Sequence, residues 1–550
     1  MTTTANYVLT AAQFDSLASG YGTPDAVRIL CDGQLAKRKL LLQALMQRHL
    51  GSPAVELLLH AEEKARESTT EVLRHPHLDA WATQALRTPG DLGYLAQVAA
   101  GAAVRAGLPF SIEVPVTHGE VYLPSLGAAT VDGTRTTVVG SANGEVRIGQ
   151  VRLGGAGWSA ARTVQLEPEF GLAIEDQEPF RDTYHWRPAP RLDADTADRF
   201  AELLRLAWRI LVERHPEHAE AMRVLLRVVV PLAAPRSGGI VSAASRQASG
   251  SVAVVIPATA EELSLLLLHE FMHMKLDALR DLVDLHAPES RGRYLAPWRM
   301  DPRPVGALMQ GIYAHTGVID YWRRRRRLHP GSPPVADVEF AYWRRQNWLA
   351  IASLAASEEL TPYGESFVQG LYGTLASWQH EEIPANTAAR AEAMVEAQTV
   401  RWRMRNLRPA EAELAAVLNA WRLGLPPGPI ESAGMLRADS EGEPSGMPGI
   451  VGAIRSALAG AKVATDAEIA YLDDDLALAA ALYGARLNED DGDDDWVGFA
   501  MAAGDGPLGQ LLRMRPDLVR AVVRTLRSQR ETAEVTAVAE WIANGNSFGS

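Results

Sequence analysis

The sequence predicts a mainly α protein of the α+β class: a multi-helical metal-binding domain with a small β region and a helical, tetratricopeptide-like C-terminal part. Three observations carry this. Apolar residues recur at helical spacing through most of the chain, one glycine-punctuated stretch is β-prone, and the composition is that of a folded globular protein. Of 550 residues, 47% are apolar and 22% charged, which supports a large core in roughly three to four domains at about 150 residues each.

From Ala11 to about Gly107 the pattern is helical, with Leu41, Leu42, Leu45 and Met46, then Leu57 to Leu59, supplying apolar pairs three and four apart. Between Phe110 and Leu172 the runs Ser111 to Val116, Thr136 to Val139 and Glu145 to Val151 predict a small sheet, with Gly133, Gly140 and Gly144 as turn signals. Asp193 to Val212 returns to helix, with Asp195 or Thr196 as its N-cap. Arg227 to Leu232 and Val252 to Ile256 are strand-like, flanking a small, polar stretch from Ser242 to Ser251. Thr259-Ala-Glu-Glu262 has the form of a capping box and opens the next helix. Helical periodicity runs on to Leu423, and Leu425-Pro-Pro-Gly-Pro429 breaks it. These shifts divide the chain into a helical region 1–107, a β-rich region 108–190, a helical metal-binding domain 191–424, a linker 425–448 and a helical domain 449–550.

Charge and cysteine content exclude several classes. Lys and Arg number 54 against 67 Asp and Glu, a formal charge of −13, which disfavours adhesion to nucleic acid or anionic membrane. Cys31 is the single cysteine, so no disulfide framework or cysteine-rich metal motif is available, and a reducing cytoplasm fits best. Met1 to Phe14 lacks a basic stretch followed by an apolar run, so no secretory signal is expected. The uncharged stretch between Arg303 and Asp320 is too short for a membrane span. No Walker loop, Rossmann fingerprint or nucleophile elbow is present.

The chemistry lies in His269-Glu270-Phe-Met-His273. On a helix, residues four apart are neighbours on one face, so both imidazoles can hold one metal ion with Glu270 beside them. Burying two imidazoles and a carboxylate in a leucine-rich helix is costly without a compensating cation; the alternative is a hydrogen-bonded core pair. No third ligand follows at short spacing. Asp277 and Asp281 lie on the same helix, His286 follows it, and Glu358 and Glu359 end a later one. His315 is favoured, a lone histidine in an otherwise uncharged helix, against its reading as a core histidine bonded to a carbonyl. Two chemistries stay open: zinc with Glu270 activating water, a metallopeptidase, or iron(II) binding a 2-oxoacid and dioxygen, an oxygenase.

The surroundings resemble the HExxH-motif proteins of ribosomal-peptide maturation, a family of 2-oxoglutarate-dependent peptide β-hydroxylases. The matching blocks are Leu172 to Arg181, the Ser242 to Pro257 approach, His269 to Leu276, Pro297-Trp-Arg-Met-Asp-Pro-Arg-Pro304, Gly311-Ile-Tyr-Ala-His315 and the tail around Asp494 to Ala502. The resemblance implies iron(II) held by His269, His273 and His315, 2-oxoglutarate on two further positions, and hydroxylation at the β-carbon of a residue in a precursor peptide, with a partner maturation enzyme. Glu270 is then a ligand, an orienting group or a base. Arg299 and Arg303 are candidates for the distal carboxylate of 2-oxoglutarate, or else structural arginines paired with Asp301. The rivals are a zinc peptidase and a non-catalytic scaffold. Two charge runs are read as mostly solvated: Arg323 to Arg327, with substrate docking as the alternative, and the acidic Asn488 to Asp495. Trp298, Trp322, Trp343 and Trp348 are read as packing residues.

Overall fold

A computed structural model describes residues 7–88, 93–236, 238–328, 334–430, 433–437, 449–462 and 465–545. It is 57% helix and 12% strand, the mainly α, α+β class expected. Contacts divide the chain into two units, Met1–Leu285 with Pro362–Leu371, and His286–Thr361 with Tyr372–Ser550.

The first unit opens with the helices Ala11–Ala18, Pro24–Gln47, Pro53–Lys64, Arg66–Leu73, Leu78–Arg87 and Gly93–Arg105. Thr10, Thr23 and Ser52 cap the first three by accepting an N–H from the first turn. Proline begins the second and third, where a missing N–H costs nothing. Leu42, Leu45, Leu58, Leu73, Trp81 and Leu95 form a core shared by the second to sixth of these helices. The β-prone stretch then makes more than the one small sheet expected. Phe110–Pro115, Arg135–Gly140, Val146–Ile148 and Val151–Arg152 form a four-stranded antiparallel sheet, and Glu120–Leu123, Gly127–Thr130 and Trp158–Ala160 a three-stranded one. Gly127 is required in the latter, because its φ is +136° and a Cβ would lie 2.1 Å from the Ser159 carbonyl oxygen.

A third sheet positions the motif. Its order is Ser242–Ala244, Ser251–Val255, Val228–Leu232, Phe170–Ile174 and Arg162–Glu167; the three inner strands are parallel and the two outer ones antiparallel to their neighbours. Ser251–Val255 and Val228–Leu232 are buried at every position, which is why they read as unbroken apolar runs without alternation. The Ala194–Arg214 helix is capped by Asp193, whose carboxylate accepts the Thr196 N–H. That corrects the expected cap at Asp195 or Thr196: Asp193 alone has the extended backbone a cap needs. The motif helix, Ala260–Arg280, packs against this helix, against Pro24–Gln47 and against the strands Ser242–Ala244 and Ser251–Val255.

The second unit contains the helices Val305–Arg325, Val335–Ala355, Ala385–Asn406 and Glu411–Leu423, then Gly449–Leu458 and six shorter helices from Asp466 to Asn544. The last group shares one core with Val338, Met394 and Val400 of the earlier helices, through Trp496, Phe499, Leu518 and Ile542 among others. The six range from 7 to 14 residues, too uneven for a regular repeat of helix pairs. Much of the expected linker 425–448 lies outside the described residues; within it Met435–Leu436 pairs with Leu407–Arg408. The helix Pro362–Gln379 gives its first ten residues to the first unit and the rest to the second. Among the described residues no helix is long and apolar enough to cross a membrane.

Both charge runs are paired with opposite charges, while Asn488 to Asp490, Asp494 and Arg327 stay exposed as expected. Asp320 holds Arg323 and Arg324, each at 2.9 Å, Glu381 holds Arg323, Arg326 and Arg327, and Asp337 holds Arg326. In the acidic run, Asp491 is bound by Arg520 and Arg524, Asp493 by Arg520 and Asp495 by Arg486. Neither reading from the sequence foresaw this, because the partners lie up to 58 residues away along the chain.

Candidate metal centre

The motif helix starts where the sequence places it. Thr259 accepts the Glu262 N–H and Glu262 accepts the Thr259 N–H, a reciprocal cap. Leu263, Leu267, Phe271, Met274 and Ala278 face the core, while His269, His273 and Asp277 form a half-exposed stripe at four-residue spacing. The two imidazoles lie 4.8 Å apart between centroids and nearly perpendicular, at 87°. They form the only pair the motif supplies, and its geometry follows from helix periodicity alone.

Glu270 points elsewhere. It is buried, its Oε1 accepts the Ser242 hydroxyl at 2.7 Å, and it also takes the backbone N–H of Ala244. Both donors belong to the edge strand Ser242–Ala244. Burial pushes the Glu270 carboxyl up, against the lowering effects of His273 and the two donors. Its Oε1 is 4.0 Å from His269 Nε2. The carboxylate thus ties the motif helix to the sheet edge and fixes the rotation that presents both imidazoles. Lys275, fully buried two residues beyond His273, donates to the carbonyl oxygens of Gly20 and Tyr21 at 2.7 and 2.5 Å. Burial drives its ammonium down to about 7.

The other acidic residues of this helix have partners. Asp277 lies 3.7 Å from Arg280, with its carboxyl pushed up by burial, and Asp281 accepts from Gln34, Lys37 and Arg246. The remaining candidates are in the second unit. Glu359 accepts the Ser290 hydroxyl and the N–H groups of Arg291 and Gly292, which hold its carboxyl below the usual range. His286 Nδ1 contacts the Ala287 carbonyl at 2.7 Å.

His315 is buried in the middle of the Val305–Arg325 helix. Its Nδ1–H donates to the Gly311 carbonyl at 2.8 Å, so in the neutral ring Nε2 is the acceptor nitrogen. The ring is held between two indoles: Trp298 is stacked at 4.6 Å and 18°, Trp343 tilted at 4.4 Å and 34°. Gly311 makes room for this, since a Cβ there would lie 2.0 Å from the Trp298 ring. A carbonyl-anchored Nδ1–H is the usual setting of a ligating imidazole and equally that of a structural one. Arg299 and Arg303 both bind Asp301, at 2.9 and 2.7 Å. Burial raises the Asp301 carboxyl, but the two guanidiniums outweigh it and hold it low. Any 2-oxoglutarate carboxylate would share this fork with Asp301.

The structure therefore brings His269 and His273 together with Glu270 beside them, and sets His315 and the two arginines in the second unit. Among the described residues no three His, Cys, Asp or Glu side chains form a metal-holding group. The imidazole pair fits two ligand positions of either zinc or iron(II), both of which accept imidazole. Sequence reasoning missed Ser242, whose strand has only three small residues and no β-branched signal, and the pairing of Trp298 and Trp343 on His315. No family model matches the chain, and no curated protein matches it in sequence.

Proposed function

We propose that this protein is an iron(II)- and 2-oxoglutarate-dependent hydroxylase acting at the β-carbon of a residue in a ribosomally made precursor peptide, in the cytoplasm and beside a partner maturation enzyme. The observation that supports an oxygenase over a peptidase is the engagement of Glu270 by the edge strand. A general base of a zinc peptidase must turn toward a reacting water, whereas this carboxylate is occupied by Ser242 and Ala244 and acts on the orientation of the helix. The reading assigns His269 and His273 to the metal, with His315 as third ligand and Arg299 and Arg303 as the anchors of the 2-oxoglutarate carboxylate. When bound, iron(II) with 2-oxoglutarate supplies dioxygen activation. The chain supplies position: Glu270 and Lys275 fix the motif helix, and Trp298 and Trp343 fix the plane of the His315 ring.

Anaerobic reconstitution with iron(II), followed by optical titration with 2-oxoglutarate, tests this. A visible charge-transfer band in the wild type, lost in His269→Ala and in His315→Ala, is expected, together with succinate and a peptide product heavier by one oxygen atom. Tight zinc binding without the band, with new peptide termini that disappear in Glu270→Gln, would replace this reading by the peptidase. Substrate binding that survives His269→Ala, with neither product, would leave a scaffold.

A further inference from the structure

Away from the motif helix, the first unit contains a buried polar network that the proposed chemistry does not use. His75 and His77 lie in the turn before the Leu78–Arg87 helix, and Glu175 and Glu178 in the turn after the strand Phe170–Ile174. All four are nearly or fully buried. Tyr122 donates its hydroxyl to Glu175 at 2.7 Å, His75 Nε2 is 3.2 Å from the same oxygen, and Tyr94 donates to Glu178 at 2.8 Å. Burying four ionisable groups is expensive and needs a reason beyond packing.

Directly over this network opens a cavity of about 470 Å³, whose walls include Tyr94, Tyr122, Phe180, Arg181, Arg191 and His118. Its size is that of a small-molecule site. The rings of Tyr94, Tyr122 and Phe180 give it apolar walls, and the inward hydrogen bonds of the two tyrosines fix those rings in place before any ligand arrives. Two of its wall residues are cations: among the described residues neither Arg181 nor Arg191 has an ion-pair partner. Arg181 donates one Nη to the Glu178 carbonyl oxygen at 2.6 Å, and its buried Nε has no hydrogen-bond acceptor among the described residues. Of the acids on the same wall, Asp176 is already neutralised by Arg162 and the Leu192 N–H, leaving Glu120 at the mouth.

We propose that this cavity is a second ligand site, taking a small organic anion in which a carboxylate, free or as the acidic side chain of a peptide, meets the Arg181 and Arg191 guanidiniums while an apolar body lies on Tyr94, Tyr122 and Phe180. A guanidinium fork and an aromatic wall are together the recognition chemistry of such a ligand. Of the two carboxyls beneath the cavity, Glu178 is pushed up to about 8 by burial and the neighbouring Glu175, so near neutrality it carries a proton, while Glu175, raised by burial but held down to about 2 by His75 and Tyr122, keeps its charge turned onto those two partners.

The test uses the full chain and three probes at pH 7: phenylacetate, its neutral analogue phenylacetamide, and the capped peptide acetyl-Ala-Glu-Ala-amide, each followed by saturation-transfer NMR and calorimetric titration. Submillimolar, saturable binding of phenylacetate or of the capped peptide is expected, at least tenfold weaker in Arg181→Gln and at least threefold weaker in Arg191→Gln. Tighter binding of phenylacetate would mark a free acid as the natural class, and tighter binding of the peptide an acidic side chain. Because Arg191 is exposed, its variant should keep the wild-type melting temperature and so decides the matter if Arg181→Gln fails to fold. The proposal is overturned if neither acid binds the wild type, if phenylacetamide binds as well as phenylacetate, or if the folded arginine variants bind unchanged.

Discussion

Single residues here are constrained by contacts that no substitution table would anticipate. Gly311 is one, because the Trp298 ring occupies the space its Cβ would need. Gly311→Ala should cost about 1–3 kcal/mol through overpacking and loosen the indole that covers His315. Urea unfolding and a shift of tryptophan emission would check this, and an unchanged midpoint would refute it. Glu178 is another. Its carboxyl titrates near 4.5 when unfolded and is pushed up to about 8 in the fold, so between those values the folded state holds one proton more. The stability this group contributes is fully present below about pH 4.5 and is lost as pH rises through about 8, at about 1.4 kcal/mol per pH unit. Glu178→Gln should remove that slope. Unfolding of wild type and variant between pH 5 and pH 8 would give converging and then crossing curves; parallel curves would contradict the assignment. Little of this was visible in the sequence, where His75, His77, Glu175 and Glu178 stand about a hundred positions apart in two turns with no periodic pattern to link them.

Elements were more legible where their signals are local. The capping box at Thr259 and Glu262, the apolar face of the motif helix and the four-residue step from His269 to His273 all follow from neighbouring residues, and each reappears in the structure. Thr259→Ala should cost about 1 kcal/mol and fray the first turn, three turns from His269. Circular dichroism melting should therefore fall by a few degrees while metal affinity changes little; a large loss of metal binding would mean that the cap itself positions the imidazoles. The strand Ser242–Ala244 was not legible, for an equally physical reason: its three small residues pair with Val252, Ala253 and Val254 through backbone groups, and backbone pairing leaves no side-chain signature. With it went the anchor of Glu270, so the candidate site was half read. Its ligand pair came from helix periodicity, and its support was set by tertiary contacts.

For the whole molecule, the composition and the mainly α class were readable, and the way the chain returns on itself was not. The first unit takes back the residues Pro362–Leu371 after the chain has left it. Their fit is close: Phe14 meets Tyr363 and Phe367 edge-on, each at 6.2 Å, Gly370 passes Ala18 so tightly that a Cβ would lie 2.8 Å from the Ala18 Cβ, and Gly364 packs on the Leu285 carbonyl. A fragment ending at Leu285 should then melt lower, and aggregate more readily, than the same fragment joined to residues 362–371 by a flexible linker. Differential scanning fluorimetry compares the two, and equal melting would show that the returning segment adds nothing. The same return sets a clock on synthesis. At roughly 5–20 residues per second, translation of His286–Thr361 holds the nascent first unit unfinished for on the order of 4–15 s, with Phe14 and its neighbours uncovered.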